Sequence, residues 1–316
     1  MRSLIGKLTL AGVLAGSALL AAPAVHAKDV TIIAVTHGQA SDPFWSIVKN
    51  GIVQAGKDQR VHVEYRAPET FDMVAMGQLI DAAANQQPDG IVISDPDPDA
   101  LGPAIRKAVA AGIPVISMNS GSDAAAKLGI ALHVGQDELP AGRIVGGKLK
   151  AMGVKHALCV NQEVGNAALD LRCQGVTEGL AGGKVTVLPT TTDPAETQSK
   201  VRAALSSDPS IDFVIGLSAP LVGEPAVAAV QGLGLQNKVK VGSFDLSAGF
   251  LKDVADGKAA FAVDQQPYLQ GYLPVTFLAQ HAANGTMPAG NVATGPSFVT
   301  KDTANQVIAM SAKGLR

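Results

Sequence analysis

From residue 30 onward the chain alternates between two hydrophobic periods. Short runs rich in valine and isoleucine recur at 30–36, 61–65, 90–94, 114–118, 131–135, 157–161, 185–188, 213–217, 239–242 and 261–263. Between them lie stretches with apolar residues three and four apart, at 43–57, 71–86, 100–111, 139–152, 166–180, 195–206, 221–232, 247–256 and 268–284. Apolar runs without polar alternation predict strands buried on both faces, as in parallel sheets, and the helical stretches predict their cover. The expected fold class is therefore α/β, with doubly wound parallel sheets. One unit recurs. Asp89-Gly-Ile-Val-Ile-Ser-Asp95 leads through a helix to Ile113-Pro-Val-Ile-Ser-Met-Asn119, and Asp212-Phe-Val-Ile-Gly-Leu-Ser218 leads through a helix to Val239-Lys-Val-Gly-Ser-Phe-Asp245. Each reads strand, polar tip, helix, strand, polar tip, which predicts two halves of similar design. Ligands of open α/β sheets bind beyond the carboxyl ends of the strands, so two sets of polar tips are expected to face each other across a cleft.

A length of 316 residues suits two domains, and 47 % hydrophobic with 16 % charged residues is a globular composition. The net charge of −2 gives no basic footprint for nucleic acid or a lipid surface. Residues 1–27 read differently. Arg2 and Lys7 precede an apolar run at 8–22, which closes on Ala-Val-His-Ala ending at Ala27. This pattern predicts a cleaved secretory signal peptide, the run being shorter than the roughly 20 residues a membrane span needs. The mature protein is expected to start near Lys28, soluble and in the periplasm. The two cysteines, Cys159 and Cys173, fit one disulfide in such an oxidising compartment; two small buried thiols are the other reading.

Enzyme motifs fail on inspection. Gly142-Arg-Ile-Val-Gly-Gly147-Lys148 begins like a phosphate-binding loop, but Leu149 stands where a hydroxyl should hold magnesium, and the segment lies inside a helical pattern. No nucleophile elbow or paired-histidine metal motif occurs. Asp95-Pro-Asp97-Pro-Asp99 resembles the start of a calcium loop, yet Ala100 replaces the glycine and Arg106 the bidentate glutamate. It reads instead as a solvated acidic helix start. No catalytic residue, metal or cofactor is expected.

After the first strand comes Thr36-His37-Gly-Gln-Ala-Ser-Asp42-Pro43-Phe44-Trp45. Asp42 suits a helix cap and Pro43 the first helical position, which sets Phe44 and Trp45 in the first turn at the strand's carboxyl edge. They are either core aromatics or, in a chain with 4 % aromatics and one tryptophan, part of a site for a small polar ligand. Further along stand Pro88-Asp89-Gly90-Ile91, Ala110-Ala111-Gly112-Ile113-Pro114-Val115-Ile116, Gly135-Gln136-Asp137 with Ala141-Gly142, Arg172 with Gly175, Val241-Gly242-Ser243-Phe244-Asp245, and Asp264-Gln265-Gln266-Pro267. In this order and spacing, over residues 29–300, the chain resembles the pentose- and hexose-binding type I periplasmic proteins of the ribose-binding family.

The resemblance implies two lobes joined by a hinge, residues 28–135 plus 266–292 and residues 136–265 plus 293–316. It implies a solute-binding protein that captures a small sugar or polyol by hinge closure, works as a monomer and delivers its ligand to an ABC permease. A sensory role toward a chemoreceptor stays open, and a secreted α/β enzyme is the remaining alternative. The implied contacts are Asp42, Phe44, Trp45, Asp95 and Asn119 from the first lobe, and Arg172, Thr192, Ser218, Asp245 and Gln265 from the second side. Their local readings stay open. Asp245 could cap the next helix, Arg172 could pair with Asp170 or Glu178 on its own helix, and His37 at its strand tip could be a core histidine or a ligand contact. Relative to the family, Asn119-Ser120 replaces an Asp-Arg pair and Ser218 an asparagine. That change points away from a standard aldopyranose toward a polyol, a deoxy or furanose sugar, or a bulkier glycoside.

Overall fold

The computed structural model describes residues 29–38 and 42–316, so the leader read at 1–27 lies outside the described residues. The ten valine- and isoleucine-rich runs form two parallel sheets. The first holds β1 (Thr31–Val35), β2 (His62–Arg66), β3 (Gly90–Ile93), β4 (Val115–Met118) and β5 (Leu132–Gly135), with β11 (Val292–Ala293) added from far along the chain. The second holds β6 (His156–Asn161), β7 (Lys184–Pro189), β8 (Phe213–Gly216), β9 (Lys240–Phe244), β10 (Phe261–Asp264) and β12 (Ser297–Val299). Their orders are β11-β5-β4-β3-β1-β2 and β12-β10-β9-β8-β6-β7, so the five-strand cores are copies of one another. Among the described residues only β12 runs antiparallel to its neighbour.

The repeat seen in the sequence extends to hydrogen bonds. Asp89, just before β3, accepts from the Thr31 amide at the start of β1 (3.0 Å). Asp212, just before β8, accepts from the Lys155 and His156 amides at the start of β6 (2.9 and 3.0 Å). Each carboxylate satisfies amide donors at the amino end of a neighbouring strand that would otherwise lack partners.

Helices cover both faces. They are α1 (Pro43–Gln59), α2 (Met73–Asn85), α3 (Pro98–Ala110), α4 (Ala125–Leu128), α5 (Glu138–Ala151), α6 (Ala167–Leu180), α7 (Pro194–Ser207), α8 (Glu224–Gly232, entered through a π turn at Ala219–Gly223), α9 (Ala248–Ala255), α10 (Pro267–Asn284) and α11 (Lys301–Ser311). Successive β1 residues serve opposite cores. Ile33 and Val35 pack with Met76, Ile80, Leu101 and Ile105 of α2 and α3. Ile32 and Ala34 pack with Val48 and Ile52 of α1 and Val275 and Leu278 of α10. In the second sheet, Leu158 and Val160 face α7, α8, α9 and α11, while Ala157 and Cys159 face α5 and α6. This two-sided burial is why the strands read as unbroken apolar runs.

In each half one helix pair meets backbone to backbone through glycine. A Cβ on Gly142 would lie 2.3 Å from Arg172 O and one on Gly175 2.3 Å from Leu139 O, across α5 and α6. A Cβ on Gly51 would lie 2.1 Å from Tyr268 O and one on Gly271 2.1 Å from Val48 O, across α1 and α10. The glycine run that mimics a phosphate loop is thus a helix-packing stripe. Cys159 on β6 and Cys173 on α6 are disulfide-bonded, with Cα atoms 5.9 Å apart, which ties α6 to its sheet.

The chain passes between the sheets at three places, β5 to α5, β10 to α10 and β11 to β12. The pattern did not predict α4, α11, β11 or β12. In α11 only Ala304 and Val307 are buried, and the two strands span two and three residues.

Candidate ligand-binding site

The carboxyl ends of both sheets, with the first turns of α1 and α6, line one polar cavity. From the first half come His37 after β1, Asp42, Phe44 and Trp45 at the start of α1, and Asn119 after β4. From the second come Gln162 and Glu163 after β6, Leu217 and Ser218 after β8, Asp245 after β9 and Gln265 after β10. Asn166, Ala168, Leu169 and Arg172 of the α6 segment complete the wall.

Two tips are built alike. Asn119 and Asp245 follow equivalent strands, both in the left-handed region (φ 65° and 67°), where asparagine and aspartate are the least strained residues after glycine. Their amides donate to Val134 O on β5 (3.2 Å) and Val263 O on β10 (2.9 Å), again equivalent strands. Gln265 joins them, donating to Asp245 Oδ1 (2.6 Å) and accepting from Asn119 Nδ2 (3.4 Å). Behind them the wholly buried Gln270 donates to the main-chain and side-chain oxygens of Gln265 (both 3.0 Å).

The aromatic wall is fixed from beneath. A Cβ on Gly38 would sit 1.9 Å from Trp45 Cγ, so the indole occupies space that only glycine leaves. The His37 ring meets Trp45 edge-on at 4.6 Å and its Nδ1 lies 2.7 Å from Ser94 Oγ. Burial, helped by the Arg172 charge, lowers His37 to about 3, so it is a neutral ring.

Arg172 is 3 % exposed and spans Glu138 with two bonds, Nε to Oε2 (2.5 Å) and Nη2 to Oε1 (3.0 Å). The guanidinium lies 5.0 Å from the Phe244 ring centre, and Gln136 donates to Glu138 Oε2 (3.0 Å). Neither own-helix partner holds Arg172: Asp170 accepts from Asn161 and Glu178 from Arg143. The cavity carboxyls are pushed up. Burial raises Asp245 to about 7 against the pull of Arg172 and Gln265. Burial and the nearby Glu163 raise Asp42 to about 6, although Asp42 also accepts from the Phe44 amide (2.9 Å) as the α1 cap. Burial raises Glu163 as well, against Asn166 and Arg172.

Residues 33–286 match the family model described as the periplasmic binding protein domain. The chain belongs to this family. A carbohydrate transporter from Acidothermus cellulolyticus 11B, whose crystal structure holds myo-inositol, is 37 % identical, has a TM-score of 0.85 and aligns over 91 % of this chain and 99 % of that one. The xylose/arabinose-binding protein XylF of Sulfolobus acidocaldarius is 25 % identical over 288 residues, 85 % of this chain and 70 % of that one. The ribose import binding protein RbsB of Escherichia coli K12 is 26 % identical over 275 residues, 82 % of this chain and 86 % of that one.

Two contacts expected of this periplasmic binding protein do not line its cavity. Thr192 follows β7, the edge strand, and is half-exposed outside the cavity. Asp95 is buried instead under the loop after β4: it is 1 % exposed, and a Cβ on Gly121 would lie 2.6 Å from Asp95 Cβ. The acidic helix start is solvated only from Asp97, which caps α3. The sequence reading in turn missed Gln162, Glu163 and Asn166. Nothing in Asn161-Gln-Glu-Val-Gly165 marks it from an ordinary polar loop. Extending the repeat back one strand, so that the β6 tip mirrors Thr36-His37 after β1, would have found it.

Among the described residues neither Asp95 carboxyl oxygen has a hydrogen-bond partner, and burial, reinforced by Asp123 and Asp97, raises the group to about 7. An acid that holds its proton more tightly when folded stabilises the fold at low pH and loses that stability as pH rises, here between about 4 and 7. Asp95→Asn is therefore expected to raise stability at pH 8 by roughly 1–3 kcal/mol and to flatten the decline from pH 5 to pH 8. Urea denaturation at both pH values checks this, and unchanged profiles would refute the assignment.

Proposed function

We propose that this chain is an extracytoplasmic receptor that encloses one small sugar or polyol between its two halves and presents it to an ABC importer, without chemistry. The observation that carries the reading is the cavity wall: the polar tips of both sheets and one aromatic face converge on a single space, so one ligand bonds to both halves at once. Carboxylates and amides suit hydroxyl groups, and Trp45 and Phe44 suit the apolar face of a ring. The lobes we assign are 28–135 with 266–292, and 136–265 with 293–316. The three crossings between the sheets form the hinge, and a ligand that bridges both lobes favours the closed state. The structure is drawn together across the cleft, with the Ala167 amide of α6 donating to Pro96 O (2.9 Å). The leader pattern supports a periplasmic location, and in our reading the mature protein works there as a monomer recognised in its closed form by the permease. The relative that holds myo-inositol and the Asn119-Ser120 pair both favour a polyol.

The test is a fluorescence titration of the mature protein with pentoses, hexoses, pentitols, hexitols and inositols, Trp45 being the sole tryptophan. A saturable change with one class is expected. Asp245→Ala should weaken it about a hundredfold, the loss of one or two charge-assisted hydrogen bonds. A flat response across the panel, with an unmoved melting temperature, would overturn the reading.

A further inference from the structure

We propose that the ligand of this cavity carries a protonated amine among its hydroxyls, as an amino-polyol or amino sugar does; this deepens the solute-binding reading and rests on it. The argument is the balance of charge around the cavity. Three carboxylates line it, Asp42 on α1 in the first half and Glu163 and Asp245 in the second, against one cation, Arg172. That cation is already held by both oxygens of Glu138, which stands behind the wall and does not line the cavity. His37, on the β1 tip, is neutral. The adjoining residues 39–41 are Gln, Ala and Ser and bring no charge.

The carboxylates also repel one another in a ring. Glu163 raises Asp42, Asp245 raises Glu163, and Asp42 raises Asp245. Each has one oxygen engaged in the fold: Asp42 Oδ1 by the Phe44 amide, Glu163 Oε2 by Asn166, and Asp245 Oδ1 by Gln265. Among the described residues the second oxygen of each has no hydrogen-bond partner. An ammonium group offers three donors and a charge, so it matches three such oxygens and relieves their repulsion. A neutral polyol supplies the hydrogen bonds but leaves the repulsion in place. Asn119, Ser218 and Gln265 remain for the hydroxyls.

The test is calorimetric titration of the mature protein with matched pairs, myo-inositol against an amino-deoxyinositol and D-glucose against D-glucosamine, at pH 7 and pH 5. The amine of the better-binding pair is expected to bind at least about tenfold tighter than its hydroxyl partner at pH 7. The advantage should shrink at pH 5 as the carboxylates take up protons. Glu163→Gln, and separately Asp42→Asn, should bring the ratio of amine to hydroxyl affinity to within about threefold, whatever either does to affinity for the neutral partner, and a cooperative thermal melt shows that each variant is folded. Neutral partners that bind as tightly as the amines, or tighter, would overturn this inference and leave the solute-binding reading standing. Absence of binding by every compound would overturn both.

Discussion

Glu138→Ala is expected to destabilise the protein by about 3–5 kcal/mol, the loss typical when one partner of a buried ion pair is removed. Glu138 and Arg172 are each 3 % exposed, so water cannot replace the missing carboxylate. Arginine cannot escape by losing its proton. Burial pushes the Glu138 carboxyl up, and the two guanidinium bonds with the Gln136 amide pull it back; the pair is held by geometry as much as by charge. Without Glu138, the guanidinium retains one long bond to Leu217 O (3.4 Å) and the Phe244 ring. Urea denaturation measures the loss. The companion variant, Glu138→Leu with Arg172→Met, buries no charge and should recover most of the stability while ligand binding is lost. A single-variant loss below about 1 kcal/mol would show that the pair is hydrated and the cavity wall looser than described.

Gly175→Ala is expected to cost about 3 kcal/mol and to weaken ligand binding although residue 175 does not line the cavity. The added carbon would meet Leu139 O at 2.3 Å, with Arg143 N and Gly142 Cα both at 2.8 Å. These are backbone atoms, and they yield only if α5 and α6 move apart. Such a shift carries Arg172 on α6 away from Glu138 on α5, so stability and affinity should fall together. Gly147 on α5, the other helix of the pair, provides the contrast. It is exposed, with nothing within 4 Å of an added Cβ. Gly147→Ala should therefore stabilise the protein by roughly 0.5–1 kcal/mol through helix propensity alone. Thermal melts and a titration of both variants decide the matter; equal behaviour would remove the glycine contact as the cause.

The elements that could be read ahead of the structure were those whose burial is written into consecutive residues. All ten core strands lie where the valine- and isoleucine-rich runs place them, because strands covered on two faces need apolar side chains at nearly every position. The elements not foreseen depend on partners elsewhere. β11 is two residues long, and its existence rests on pairing with β5. In the site, His37, Trp45, Asn119 and Asp245 were legible as polar or aromatic residues at strand tips and at a capped helix start. Glu138 was not: as an acid in the first turn of α5 it suits the helix dipole, and its partner Arg172 is 34 residues away. The surroundings of Asp95 were hidden for a related reason. Its position at a strand tip is correct, but the loop through Gly121 folds over it, and that depends on a chain path no local pattern records.

The way the chain threads between its sheets also sets an order of assembly. As the polypeptide emerges from its amino terminus, residues 31–135 supply five strands of the first sheet but leave β5 without β11 and the α1 face without α10. The missing pieces arrive only at 267–293, after the whole run from β6 to β10 has been made. The half encoded first thus waits with Val48 and Ile52 uncovered by Val275 and Leu278, and the half encoded second waits in turn for β12 and α11 to supply Val299, Ala304 and Val307. A nonsense mutation near residue 266 would strip cover from both halves at once, α10 and β11 from the earlier one and β12 and α11 from the later one.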